Sequence, residues 1–271
     1  MSAASPPART RSPVETMLRD RLAAREALTN ADLAWMLRLL AKWRSQMIAG
    51  TIVARDGPIV QSGPFAGLVL GPHATEGGHA PRLLGCYEHE LHAEIERLAA
   101  RGFHTVLNIG CAEGYYAIGL ARRMPGARVF AHDANPGAQA LCRRLAEDNG
   151  VADRVAIGGL FRGEDFARFA EADTLLVLDI EGGEDTLLDP AAWPALRRMT
   201  VLVECHEMPG ADMAGRIAER FASSHRIRRI GHALAAPELP PWLAGLDHLD
   251  RLLATWEWRS IPTPWLVMEP A

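Results

Sequence analysis

Two hydrophobic periods divide this chain. Beyond residue 104, short apolar-rich runs alternate with stretches whose apolar positions return every three or four residues. The runs lie at 106–109, 128–133, 155–158, 175–178, 200–204, 226–230 and 265–268. Each is brief, rich in branched residues and bounded by turn formers, which predicts strands. The run 175–178 is apolar at every position, the pattern of a central parallel strand buried on both faces. Between the runs, the longer period predicts helices over 115–123, 136–149 and 212–225. The second has Asn135 as cap, Pro136 at its first position and Gly150 past its end. The third keeps Met213, Ile217 and Phe221 on one side, and a further helical stretch covers 246–253. Strands alternating with helices, closed by a late hairpin, argue for an α/β fold on a seven-stranded, mostly parallel sheet.

The first third of the chain reads differently. Residues 1–13 hold Ser, Pro and Arg and are expected to form a disordered tail. One helix is predicted over 14–28. Another opens at Thr29-Asn-Ala-Asp32, a capping-box pattern with Asp in place of Glu. Leu33, Met36, Leu37, Leu40, Trp43 and Met47 then keep the helical period. Short apolar runs at 51–54, 59–60 and 67–70 suggest one or two hairpins, followed by a loop over 71–80 with His73 and His79. A helix from about Cys86 would turn Tyr87, Leu91, Ile95 and Leu98 to the sheet and His89 away from it. The His89-x-x-His92 pair has metal-ligand spacing and the loop histidines could also bind a metal, although solvated side chains are the preferred reading for both. The implied boundaries are a tail (1–13), a helical extension with hairpin and loop (14–82) and the α/β domain (83–271). The extension is expected to pack on the domain or on a second copy, giving a homodimer; a lid over substrate is the alternative.

Candidate chemistry gathers at the strand ends. The first strand runs into Gly110-Cys-Ala112-Glu113-Gly114-Tyr115. Small residues let a backbone approach a ligand closely, and a helix start offers unpaired N–H donors. With Ala at the second position and a bulky Tyr115, the turn departs from the G-x-G-x-x-G of a dinucleotide site, which disfavours NAD. The second strand ends at Asp133, where a carboxylate can accept from both hydroxyls of a ribose. A plain helix cap is the other reading, although Asn135 already fills that place. The fourth run delivers Asp179 and Glu181, and the fifth Glu204 and His206, whose alternate spacing sends them to one face. Ligands of open parallel sheets bind beyond the carboxyl ends where strand order reverses, so Asp179 would face Gly110 across that crevice.

The Gly110–Tyr115 turn resembles motif I of class I S-adenosylmethionine-dependent methyltransferases, with Asn108 where the motif opens on an acidic residue. Asp179-Ile-Glu-Gly-Gly-Glu184 resembles the D-x-E-G-x-E signature of the FkbM-type group, and Val203-Glu-Cys-His206 resembles its following strand. Over about residues 83–230 the resemblance implies a Rossmann-like class I methyltransferase fold. It also implies S-adenosylmethionine as cofactor, S-adenosylhomocysteine as product, and O-methylation of a small-molecule hydroxyl on a sugar or natural product. Carried onto this chain, it implies cofactor contacts from Tyr87 or Glu88, Asn108, Gly110, Ala112, Glu113, Gly114, Tyr115, Asp133 and Asp179. Leu160 or Phe161 would cover the adenine. Residues 235–262 would be a substrate-covering insertion, with Trp256, Trp258 and Arg259 in the acceptor wall.

Methyl transfer from a sulfonium is an in-line displacement. It needs the acceptor oxygen held on the axis and, for a hydroxyl, a base of near-neutral pKa. His206 is the candidate base, oriented by Glu204 or Glu181, with Asp179 near the methionine amine or the acceptor. The same four residues are also suitable ligands for a divalent cation. A third reading makes His206 a helix cap. Composition narrows the partners. A net charge of −4 carries no nucleic-acid footprint. Cys86, Cys111, Cys142 and Cys205 are scattered without a C-x-x-C, as expected of reduced thiols in a cytoplasmic protein. No apolar run reaches the ~18 residues of a membrane span, so no membrane partner is expected.

Overall fold

The computed structural model describes residues 12–71, 78–206, 210–234, 237–261 and 263–271. Most of the expected tail, 1–11, lies outside the described residues, as does His73. Ser12 and Pro13 are not tail: they open α1 (Pro13–Ala23), with the Ser12 hydroxyl accepting the Glu15 N–H at 3.1 Å. This helix ends five residues short of the expected 28. The chain leaves it there so that Arg21 and Arg25 reach the buried Asp32, at 2.7 and 3.6 Å.

Asp32 also closes the capping box of α2 (Asn30–Asp56) with Thr29. Residues 51–54, expected in a hairpin, are instead the last turns of this 27-residue helix. Ile48, Ala49 and Ile52 are buried there, and burial of that face overrides the β-branched propensity of Thr51 to Val53. The expected hairpin reduces to a single antiparallel bridge, Ile59 to Val69. The single helix expected from about Cys86 is also broken. α3 (His79–Leu84) ends at a left-handed Gly85, Glu88 is left-handed at φ +48°, and α4 spans His92–Arg101.

The sheet contains β1 (Thr105–Ile109), β2 (Arg128–His132), β3 (Val155–Gly158), β4 (Thr174–Leu178), β5 (Thr200–Glu204), β6 (His225–Ile230) and β7 (Trp265–Pro270). Around it lie α5 (Tyr115–Arg123), α6 (Pro136–Asp148), α7 (Glu184–Leu187), α8 (Met213–Phe221), α9 (Pro241–Ala244) and α10 (His248–Ala254). The order is β3-β2-β1-β4-β5-β7-β6, with β7 antiparallel to both neighbours. This is the seven-stranded, mostly parallel α/β sheet expected from the sequence, of Rossmann-like type. β1, β4 and β5 are buried at every position, as strands covered on both faces must be. One face packs against Ile52, Leu83, Ile95 and Ile118, the other against Phe166, Ile217 and Phe221.

The chain turns one way from β1 and the other way from β4. These two strands pair in parallel with Ile109 beside Leu178, so their next residues, Gly110 and Asp179, meet at the reversal point. The late segment before β7 is tied to α2. Arg38 donates to the Trp258 carbonyl at 2.7 Å, Trp258 Nε1 to Ser45 Oγ at 3.3 Å, and Arg44 to Asp250 on α10 at 2.7 Å. All four cysteines are buried thiols. Among the described residues, no helix is long and apolar enough to cross a membrane.

Candidate active site

A cavity of about 530 Å³ opens at the carboxyl ends of β1, β4 and β5. Its floor is backbone. Gly110 sits at φ +77°, and a Cβ there would overlap the Asp179 carbonyl oxygen, so the two strand tips can touch only with glycine at 110. Ala112 is also left-handed, at φ +46°. Its N–H is donated to Asp133 Oδ2 at 2.9 Å, while Asp133 Oδ1 accepts from the Asn135 N–H at 2.8 Å. Asp133 therefore braces the turn from behind and does not line the cavity. Gly114 caps α5 beneath the turn, with Cys142 close under it, and also stays off the cavity surface. Asn108 lines the cavity; its Nδ2 donates to the Val177 carbonyl at 3.3 Å, and its buried Oδ1 has no hydrogen-bond partner.

One wall carries Tyr87, Glu113 and Tyr115 together with Arg82, which sequence reasoning did not single out. Arg82 is buried, ion-paired with Glu113, and stacked with its guanidinium carbon 4.5 Å from the Tyr87 ring centroid. Burial works against its charge, but Glu113 and its other partners keep its pKa above the ordinary arginine value. Nothing in the local pattern His79-Ala-Pro-Arg-Leu-Leu84 announces this pairing.

Arg259 organises a second part of the lining. Its guanidinium is hydrogen-bonded to Glu88, Glu204, Glu257 and Thr263, the last two at 2.9 and 2.6 Å. The fully buried Glu88 also accepts from the Tyr116 hydroxyl. Burial, and next the Glu204 carboxylate, push the Glu88 carboxyl up to about 8. Arg259 lines the cavity, yet its donors are committed to protein carboxylates. Trp258 lines it as well, with the Lys42 ammonium 4.8 Å from its ring; Lys42 was also missed from sequence.

At the tips of β4 and β5, Asp179, Glu181 and His206 come together. His206 Nδ1 is 2.7 Å from Glu184 Oε1, and the Gly182 N–H donates to the same oxygen at 3.0 Å. His206 Nε2 lies 3.6 Å from Asp179 Oδ1, 3.5 Å from Glu181 Oε2 and 3.7 Å from Glu204 Oε2. Burial disfavours the charged imidazole, but the Glu184 hydrogen bond and the Glu204 and Asp179 carboxylates outweigh it and raise its pKa to about 9. Burial, then Glu204 and Glu88, push Asp179 well above the usual carboxylate range. With no cation among them, these carboxylates favour the charged imidazole, which weakens the sequence expectation of a ready base. Glu184, not Glu204 or Glu181, makes the bond that orients the ring. Its clue lay in the last position of the signature.

Among the described residues, the non-glycine residues with positive φ are Glu88, Ala112, Glu181 and Trp258. All four border this cavity or the Arg259 network beside it. Concentration of backbone strain in one place is a mark of a functional site.

Two expectations are corrected by packing. Phe161 does not reach the cavity. It is buried against His132 and Phe166, with ring centroids at 5.1 and 4.9 Å, while Leu160 faces solvent. Adjacent residues leaving an extended segment point to opposite sides, and the aromatic core took the larger one. Trp256 turns from this cavity to a separate groove beside α2 that includes Trp35 and Leu37. His92 Nε2 donates to the Tyr87 carbonyl at 3.1 Å, and the metal-type cluster among the described residues is Asp179, Glu181 and His206 rather than His89 and His92.

No family model matches the chain. Over 101 residues, 35% of its length, it is 39% identical to the release factor glutamine methyltransferase of Chlorobaculum tepidum. Over 75 residues, 27% of its length, it is 36% identical to the enzyme of the same name from Geobacter sulfurreducens. These matches cover 30% and 26% of the two relatives, so the chain spans less than a third of the length of the curated relatives it matches. Among solved structures it is similar to precorrin-6y C5,15-methyltransferase from Geobacter metallireducens. That likeness has 15% identity, covers 65% of this chain and 88% of the other, and has a TM-score of 0.46. It is also similar to the O-methyltransferase TomG of tomaymycin synthesis from Streptomyces achromogenes, in complex with S-adenosylmethionine. There the identity is 14%, the cover 83% and 89%, and the TM-score 0.44. The relatives matched in sequence are glutamine methyltransferases, so the FkbM-type resemblance rests on its motifs alone.

Proposed function

We propose that this chain is an S-adenosylmethionine-dependent methyltransferase acting on a hydroxyl of a small-molecule acceptor. One observation carries the reading: the Gly110 turn and the Asp179–Glu181–His206 cluster open into the same cavity, their backbones in contact at the strand reversal. The methionine end of the cofactor would lie along Gly110 to Glu113, with Asn108 Oδ1 as a buried acceptor for its amine. Tyr87, Tyr115 and Arg82 would wall it in. Asp133 would act on the cofactor through the turn it braces, by fixing the Ala112 N–H, and Leu160 remains the alternative to Phe161 for covering the adenine. The acceptor oxygen attacks the methyl carbon in line with the carbon–sulfur bond. Sulfur leaves as the thioether of S-adenosylhomocysteine, and the hydroxyl proton passes to Asp179 or to deprotonated His206.

A second reading comes from the relatives, whose names specify a glutamine of a release factor; a side-chain amide of a protein would then be the acceptor. The FkbM-type signature at Asp179–Glu184 favours the hydroxyl. For the N-terminal extension we propose a second copy of the chain as partner. Leu33, Leu37, Leu40, Trp43 and Met47 are exposed along α2, spaced as one apolar face. The four buried thiols suit a cytoplasmic setting.

The test is calorimetry with S-adenosylhomocysteine, followed by transfer of a labelled methyl group into a metabolite fraction and into purified release factor. Label in the small-molecule fraction supports the hydroxyl reading, and label on a release-factor glutamine supports the second. No binding of S-adenosylhomocysteine overturns both.

A further inference from the structure

We infer that Asp179, Glu181 and His206 form a divalent-cation site, with Glu204 placed to supply a fourth ligand. The imidazole is prepared for this. Its Nδ1 is held at 2.7 Å by Glu184, a fully buried carboxylate, which fixes the ring and leaves Nε2 as the available nitrogen. Histidine ligands of metals are held by such an outer carboxylate. Nε2 and one oxygen each of Asp179 and Glu181 lie within 4.8 Å of one another. The Nε2–oxygen distances, 3.5 and 3.6 Å, are too long for hydrogen bonds. They are close to the roughly 3.0–3.5 Å that separates neighbouring ligands on an ion with bonds of about 2.1 Å.

A separate observation also points to an ion. Asp179 Oδ1 is a buried oxygen without a hydrogen-bond partner, and Glu204, 3% exposed, directs Oε2 to 3.7 Å from Nε2. A buried carboxyl oxygen needs a donor or a cation. Arg259, which pairs with the other oxygen of Glu204, already has its N–H groups on that oxygen, Glu88, Glu257 and Thr263. One imidazole with two or three carboxylates, and no sulfur in the set, suits Mn²⁺ or Mg²⁺ better than a soft metal. The cluster opens on the cavity, so the ion would keep a position for water or an acceptor hydroxyl and lower the pKa of that group. This role toward an acceptor rests on the methyl-transfer reading; the site itself does not.

The experiment is a titration of the full chain with Mn²⁺, following the electron paramagnetic resonance of the free ion, with S-adenosylhomocysteine calorimetry on the same sample. One Mn²⁺ per chain is expected. Glu181→Gln, at a largely exposed side chain whose loss spares the fold, should weaken binding at least tenfold, and so should Asp179→Asn. Glu219→Gln, exposed on α8, should leave it unchanged. Absence of stoichiometric binding, or binding indifferent to both cluster variants, overturns the site. S-adenosylhomocysteine bound without Mn²⁺ removes the cation site and keeps the methyl-transfer reading; Mn²⁺ bound without S-adenosylhomocysteine does the reverse.

Discussion

Gly110→Ala tests the backbone contact on which the cavity depends. Alanine at φ +77° costs ~1–2 kcal/mol, because an L-residue there crowds the following carbonyl. The added methyl would also sit 2.6 Å from the Asp179 carbonyl carbon, closer still to its oxygen, and 3.1 Å from Ile180 Cγ2. Ordinary contact begins near 3.4 Å, and the methyl would overlap the carbonyl oxygen outright, so the tips of β1 and β4 must part. Neither tip is free to yield. The Asp179 N–H donates to the Ile109 carbonyl at 3.0 Å, and the Gly110 N–H to that of His132 at 2.8 Å. Overpacking of this kind costs about 1–3 kcal/mol, for a total of about 2–5 out of the typical ~5–15 kcal/mol of a folded domain. At ~2–4 °C per kcal/mol for a chain of this size, Tm should fall by roughly 4–20 °C. Displacing Asp179 from the turn should also weaken S-adenosylhomocysteine at least tenfold, ~1.4 kcal/mol. Differential scanning calorimetry and isothermal titration measure the two effects. Gly126→Ala is the control: nothing lies within 4 Å of its added methyl. If Gly110→Ala melts and binds like the parent chain, the shared floor is not what shapes the site.

Four other outcomes follow from the geometry. Asp133→Ala frees the Ala112 and Asn135 N–H groups and should weaken S-adenosylhomocysteine at least tenfold; unchanged affinity in a folded variant takes Asp133 out of the site. His206→Ala should lower kcat about a hundredfold or more while cofactor affinity moves little; equal turnover rules out any role for the ring in the reaction. Glu88 has its pKa raised from 4.5 to about 8, so between those values the folded chain holds a proton the unfolded chain has lost, and stability falls as pH rises through that window. Urea melts of Glu88→Gln at pH 5 and pH 8 should show a flatter dependence, and an unaltered slope refutes the assignment. Leu37→Glu, on the exposed face of α2, should convert a dimer to a monomer in light scattering; a parent chain that is already monomeric refutes the proposed self-association.

The order of residues by itself determined the seven strands, their alternation with helices, and which strand tips carry Gly110, Asp133, Asp179 and His206. These are matters of local period: a strand covered on both faces is largely apolar, and its ending is marked by the first small or charged residues. Local period erred where tertiary contact outweighed it. Residues 51–54 joined α2 because Ile52 had a core to enter, and Phe161 turned inward because an aromatic cluster received it. The electrostatics of the cavity were decided by the tertiary structure alone. Arg82 meets Glu113 across 31 residues, Glu204 meets Arg259 across 55, and Glu88 meets Arg259 across 171. Glu184 reaches His206 across 22. Periodicity encodes which face of an element is buried, whereas the partner of a buried charge depends on which loops the closed sheet brings together.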